Sequence, residues 1–235
     1  MTGEWIDLES RERRSFGAYR ARPDGPLPVH GIVLLQEIFG INAFVREAAD
    51  RWASAGYAVI APDLFWRQQP RVELNPESGA DRARAMDLMK GLNETLALQD
   101  IQSAATFLRT SMTCTKVAAI GYCLGGKLAY LAATQPGIDA AVSYYGVAIQ
   151  SSLDRASSIK APLLLHLAGD DHLCPATAQE KIVETLKPAG VQIELHPGVG
   201  HGFARFGSPI FNDAAFTKAD GTTRRFLSSA LVTGD

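Results

Sequence analysis

An α/β fold, with a mostly parallel central sheet and helices on both of its faces, is the class this sequence predicts. Three observations carry that reading. Short apolar runs alternate with amphipathic stretches along the 235 residues, the pattern of βα units whose strands pair in parallel. The runs are apolar throughout rather than at every second position, as a sheet covered on both faces requires. One run, residues 116–120, passes through Gly121-Tyr122-Cys123-Leu124-Gly125-Gly126 directly into a helix-forming stretch, residues 127–133.

Taken in order, residues 16–20 read as an early strand and 30–35 as a buried one, with the Pro/Gly stretch 23–28 turning the chain between them. Residues 44–55 form a helix stopped by Gly56, and 57–61 a strand ended by Pro62-Asp63. A surface loop over 70–79 precedes helices over 80–90 and 96–109, separated by Gly91 and Asn93. The strand 117–122 and the helix 124–133 flank Cys123. Strands follow over 140–145, 162–168 and 191–196, with a helix over 176–186 and a final helix within 212–231. The sequence has no Ser/Gly/Pro-rich linker and no internal repeat, so residues 1–235 are expected to form one domain.

A hydrophobic content of 46% suffices for one sizeable core. The net charge of −2 and pI near 6.2 provide no basic footprint for nucleic acid. The sequence lacks an apolar run of about 18 residues, the length a membrane span needs. The start, Met1-Thr2-Gly3-Glu4-Trp5, has neither a basic region nor an apolar segment of the secretory kind, and a cytosolic location is expected. Cys114, Cys123 and Cys174 are an odd set without a C-x-x-C pair, which suggests neither a disulfide framework nor a zinc site. No cofactor or metal is expected.

The stretch around Cys123 has the form G-x-nucleophile-x-G, the nucleophile elbow of α/β-hydrolases, with a thiol in place of the commoner hydroxyl. Flanking glycines let a strained turn form without side-chain collision. The turn places the sulfur at a helix N-terminus, where free N–H groups and the helix dipole favour negative charge. A thiol needs a base and the base an orienting acid, and in this fold the order along the chain is nucleophile, acid, histidine. Gly169-Asp170-Asp171-His172 follows one strand and Gly200-His201-Gly202-Phe203 follows the next, so Cys, Asp and His all fall at carboxyl ends of parallel strands.

Plainer readings compete at each position. Cys123 could be one more buried structural cysteine. His166 lies mid-strand and reads as a core residue. His30 begins a strand, His172 adjoins the acid, and His196, before Pro197, is the alternative base. Spacing does not choose between Asp170 and Asp171. Asp63 reads as a turn residue, and Glu37 could be a solvated acid in a loop.

The chain resembles the dienelactone hydrolase (carboxymethylenebutenolide hydrolase) family over nearly its whole length. The resemblance is carried by Gln36-Glu37-Ile38-Phe39-Gly40-Ile41-Asn42, Ala61-Pro62-Asp63-Leu64, the Cys123 hexapeptide, Tyr144-Tyr145-Gly146-Val147, Gly169-Asp170-Asp171-His172 and Gly200-His201-Gly202-Phe203-Ala204-Arg205. It implies an α/β-hydrolase fold, a Cys123–His201–Asp171 triad and ring opening of a carboxylate-bearing enol-lactone to maleylacetate. The family's G-x-D-H pattern selects Asp171. Glu37 matches a glutamate that contacts the resting thiol until a substrate carboxylate displaces it. Arg205 and Arg82 match a substrate clamp, with Arg84 a near rival to Arg82. Phe39, Tyr145, Met86, Met89 and Gly202 fall where relatives line the pocket. The family has aromatic residues at the positions of Met86 and Met89 and commonly a serine at that of Gly202.

The resulting expectation is a cofactor-free hydrolase acting on a small anionic lactone or ester, monomeric, with backbone N–H groups of Leu124 and Ile38 forming the oxyanion hole. A general carboxylesterase or thioesterase of the same fold is the alternative substrate reading. A non-catalytic redox sensor built on Cys123 is the alternative in kind, but it leaves His201 and Asp171 without a role.

Overall fold

The computed structural model describes residues 3–25 and 30–232. An eight-stranded sheet runs through it in the order β1 (Glu4–Glu9), β2 (Ser15–Ala21), β4 (Ala58–Pro62), β3 (Gly31–Leu35), β5 (Val117–Tyr122), β6 (Ala140–Tyr144), β7 (Leu163–Ala168), β8 (Gln192–His196). The β1–β2 and β2–β4 pairings are antiparallel and all the others parallel. The mostly parallel sheet follows from the sequence; the antiparallel β1 does not. That strand mixes Glu4, Asp7 and Glu9 with Trp5, Ile6 and Leu8 at the sheet edge, so it never reads as a continuous apolar run. Residues 26–29 of the expected early turn lie outside the described residues.

Inner-strand residues divide between two cores. Val33, Leu35, Val117 and Ala119 join one hydrophobic cluster, and Ile32, Leu34, Ala118 and Ile120 the other. The second cluster packs against α1 (Ala43–Ser54) and α6 (Asp213–Ala230), through Phe44, Trp52, Ala219 and Leu227. The first is covered by α2 (Gly79–Lys90), α3 (Glu94–Thr110), α5 (Ala176–Leu186) and the 3₁₀ segment Ile149–Ser158. Each inner strand thus buries both faces, which explains its unbroken apolar character. Asn42, Ser78, Asn93 and Asn212 cap α1, α2, α3 and α6, each side chain accepting a backbone N–H three residues on. The 3₁₀ segment buries Ile149 and packs Leu153 and Ala156 against the first cluster, and the sequence reading does not anticipate it.

Residues 70–79 are less superficial than expected. Val72 and Leu74 are buried. The Ile41 N–H donates to the Val72 carbonyl (3.0 Å) and the Leu74 N–H to the Phe39 carbonyl (2.9 Å), which clamps this segment onto the loop leaving β3. His166 is a satisfied core residue as anticipated. Its Nδ1 lies 3.0 Å from His196 Nε2 and its Nε2 lies 2.9 Å from the Thr223 hydroxyl.

Asp63 is the turn residue the sequence suggests. Its carboxylate accepts the N–H groups of Phe65 (3.0 Å) and Arg71 (2.6 Å) just beyond β4. Burial pushes its carboxyl up to about 6, against the pull of those two donors. A raised acid pKa in the fold adds stability below the unfolded value and loses it as pH climbs through the folded one. Between pH 4 and pH 7 Asp63 should therefore withdraw roughly 3 kcal/mol of stability. Denaturant titrations of Asp63→Asn and the parent at several pH values should show the variant gaining relative stability over that interval; parallel pH curves would contradict this.

Candidate active site

The elbow begins at the end of β5. Gly121 and Gly125 meet across the turn so closely that a Cβ on Gly121 would enter the Gly125 carbonyl oxygen, and one on Gly125 the carbonyl of Leu35. The chain reverses within this space by placing Cys123 at φ 56°, ψ −114°, a left-handed conformation that costs a non-glycine residue about 1–3 kcal/mol. Hydrogen bonds hold it there. The Cys123 N–H donates to the Tyr144 carbonyl (3.0 Å), and the Cys123 carbonyl accepts from Gly126 (3.0 Å), Lys127 (3.2 Å) and Val147 (3.2 Å). Helix α4 (Leu124–Ala132) starts at the next residue, so the Leu124 N–H has no intrahelical partner.

The loop after β3 is latched to this turn. The Gly125 N–H donates to the Gln36 carbonyl (3.0 Å), and Gln36 Oε1 accepts from the Leu64 N–H (3.1 Å). Ile38, two residues on, lines one cavity together with Leu124 and Cys123. Glu37 points elsewhere. Its carboxylate is fully buried and accepts two hydrogen bonds from Arg205, Nε to Oε2 at 2.6 Å and Nη2 to Oε1 at 2.8 Å. Both oxygens are thus engaged by the guanidinium, rather than turned to the thiol as the resemblance implies for the resting state. Burial works against the Arg205 charge, but Glu37 outweighs it and raises the guanidinium pKa further. Arg205 also lies over the Phe39 ring, 5.3 Å from its centroid.

On the far side of the sulfur, His201 and Asp171 meet across two loops. His201 Nδ1 donates to Asp171 Oδ2 at 2.9 Å, and Asp171 Oδ1 accepts the Leu173 N–H at 2.8 Å. Asp171 is buried whereas Asp170 is exposed, which settles the ambiguity the sequence left. His201 Nε2 is buried without a hydrogen-bond partner. Burial disfavours the imidazolium, but the Asp171 hydrogen bond and the nearby Cys123 sulfur outweigh it and push His201 up to about 10. Tyr145 packs edge-on against His201, centroids 5.0 Å apart. Its hydroxyl is buried without a partner, and burial together with Glu37 raises its pKa, so it stays a neutral phenol.

The cavity at Cys123 holds about 330 Å³ and is largely apolar. Met86 and Met89 line it from α2. Arg82 shares their helix but is exposed and donates through Nε to the Pro76 carbonyl; Arg84 is also exposed and engages Gln69. Neither side chain hydrogen-bonds Glu37 or Arg205. Gly202 has a role the sequence does not reveal. At φ +84° a side chain there is strained, and a Cβ would lie 2.5 Å from Ile210 Cδ1, which must shift to admit it, and 3.4 Å from Arg205 Nη2. Leu92, Val147, Leu173, Glu94 and Lys127 complete the wall unforeseen. Lys127 alone carried a signal, being a cation one turn past Cys123 on an otherwise apolar helix.

A nucleophile strained at a strand–helix turn, with histidine and acid on later strand-end loops, is the arrangement of an α/β-hydrolase. The comparisons narrow the class. The model of the dienelactone hydrolase family matches residues 16–231. The carboxymethylenebutenolidase of Pseudomonas putida is 36% identical over 231 residues, covering 97% of each chain. Carboxymethylenebutenolidase 1 of Cupriavidus pinatubonensis is 32% identical over 97% of each. Among solved structures, a dienelactone hydrolase-like promiscuous phosphotriesterase from metagenomic libraries superimposes with a TM-score of 0.80 at 20% identity, covering 98% of this chain and 99% of that one. The chain belongs to the dienelactone hydrolase family, and it is a hydrolase acting on ester or lactone bonds. Among the described residues, no helix is long and apolar enough to cross a membrane.

The packing at Gly202 gives a direct test. Gly202→Ser should cost about 1–3 kcal/mol through backbone strain and the Ile210 contact, lowering Tm by roughly 2–10 °C. A thermal melt unchanged from the parent would refute the packing role.

Proposed function

We propose that the chain opens a carboxylate-bearing enol-lactone of the dienelactone type to a maleylacetate-type product, with Cys123 as nucleophile, His201 as base and Asp171 as its orienting acid. The observation that supports this reading is the His201–Asp171 hydrogen bond of 2.9 Å, with the other ring nitrogen buried and without a hydrogen-bond partner among the described residues. The named activity of relatives at 36% identity supplies the substrate class.

In this mechanism His201 Nε2 holds the proton given up by Cys123, as its raised pKa favours, and the thiolate attacks the lactone carbonyl. The Leu124 and Ile38 N–H groups hold the developing oxyanion. The ring C–O bond breaks, the enolate leaves and takes the proton from His201, and the open chain stays on sulfur as a thioester. His201 then removes a proton from water, which attacks the thioester, and the thiolate departs. Delocalisation of the enolate lowers the first barrier. Asp171 fixes the tautomer that leaves Nε2 facing the sulfur.

Glu37 and Arg205 couple this chemistry to a substrate carboxylate. A carboxylate competing for the guanidinium displaces Glu37 from Arg205 and takes over its two hydrogen bonds. Phe39 and Tyr145 border that exchange, Met86 and Met89 wall the apolar end, and Arg82 would join the clamp only by leaving Pro76. The reading includes a cytosolic monomer; its three unpaired cysteines suit a reducing compartment.

Turnover of cis- and trans-dienelactone alongside p-nitrophenyl acetate tests the substrate class. Ring opening of at least one dienelactone is expected, and ester cleavage with neither lactone opened would favour the general esterase. Asp171→Asn should keep the fold and lose about 10³–10⁴-fold in kcat, and mass spectrometry of the quenched parent enzyme should find the acyl group on Cys123. Full activity in Asp171→Asn, or an adduct on another residue, would overturn the mechanism.

A further inference from the structure

Lys127 sits one helical turn beyond Cys123 on α4, and its side chain enters the same cavity. Among the described residues lining that cavity, Lys127 is the one cation and Glu94 the one carboxylate. The two are paired, Nζ to Oε1 at 2.5 Å. Their surroundings differ. The Lys127 side chain is only 12% exposed, against 43% for Glu94. An ammonium held in an apolar wall needs a counter-ion. Glu94, in contrast, starts α3, where the helix N-terminus stabilises a carboxylate unaided, and half of it already reaches water. Glu94 can depart at little cost, whereas Lys127 cannot follow it.

The second ion pair near the sulfur offers no such exchange at the outset. The Arg205 and Glu37 side chains are 8% and 1% exposed, and neither has water to retreat into. Of the two cations, Lys127 is the one an incoming anion can win by simple replacement.

We propose that Lys127 is an anion-recognising subsite of the Cys123 cavity, where the carboxylate of a small substrate replaces Glu94 on the ammonium before Arg205 is engaged. This rests on the hydrolase reading above and adds to it the residue that selects negatively charged substrates on entry. Lys127 recognises the substrate and takes no part in bond making.

The test compares alkylation of Cys123 by iodoacetate, an anion, with alkylation by iodoacetamide, a neutral reagent of nearly the same size. In both, the thiolate forms a C–S bond and iodide leaves. Peptide mass mapping confines the readout to Cys123; burial pushes Cys114 and Cys174 up to about 11, so they react slowly. The iodoacetate-to-iodoacetamide rate ratio should fall roughly fivefold or more in Lys127→Met, hold in Lys127→Arg and rise in Glu94→Gln. A rise in Glu94→Gln is not a result that misfolding can produce. Unchanged ratios in Lys127→Met and Glu94→Gln overturn the proposal. In parallel, KM for a dienelactone should rise roughly tenfold in Lys127→Met, with kcat and p-nitrophenyl acetate kinetics moving far less. If the parent enzyme opens no dienelactone but the alkylation ratios behave as expected, the substrate reading fails and the anion subsite stands. If it opens dienelactone and neither KM nor the ratios move, the subsite alone fails.

Discussion

Everything at the site depends on how closely the backbone folds back on itself at the elbow. Gly121 and Gly125 approach to a distance that excludes any side chain, and Cys123 absorbs the reversal in a left-handed conformation. The strain is offset by hydrogen bonds from β6, from the first turn of α4 and from Val147. Because those partners come from separate elements, the sulfur is fixed by the whole sheet rather than by its own loop. The same closeness lets Gly125 latch the loop after β3, which sets Ile38 beside Leu124. Cys123 and the backbone of Leu124 and Ile38 are thereby positioned by one event, the crossing of β5 and α4 over the end of β3.

The charges near the sulfur are arranged at two depths. Glu37 and Arg205 are buried and bind each other through two hydrogen bonds, so each satisfies a partner that would otherwise be a costly bare charge. Lys127 and Glu94 form a pair with one member half in water. A site with one locked and one exchangeable pair can meet an anion without first paying to separate two buried ions. Met86, Met89 and Leu92 line the cavity beside the Lys127–Glu94 pair and lower the local dielectric there.

Much of this was legible in the sequence, for physical reasons that differ by element. The doubly covered inner strands announce themselves as unbroken apolar runs, and the elbow by glycines that only a tight crossing requires. The edge strand β1 was not legible, since an edge strand with one face in solvent carries too few apolar residues to stand out. Residues 70–79 read as a surface loop because their buried members, Val72 and Leu74, are spaced among polar ones. At the site, order along the chain pointed to Cys123, His201 and the acidic pair; spacing left Asp170 and Asp171 open, the family pattern favoured Asp171, and burial and the hydrogen bond to His201 set it apart in the structure. Charge pairing was invisible: sequence places Glu37 and Arg205 168 residues apart and says nothing of their bidentate contact. The same holds for Arg82, whose side chain turns outward to a carbonyl six residues back.

Leu173 joins two parts of the site that could have been independent. Its backbone N–H steadies Asp171 while its half-exposed side chain forms part of the cavity wall at the surface. The two duties belong to different atoms of one residue. Trimming or enlarging the side chain reshapes the entrance while the main-chain donor stays where it is. Descendants of this scaffold can therefore admit bulkier or slimmer esters through that doorway without loosening the carboxylate that aims the imidazole.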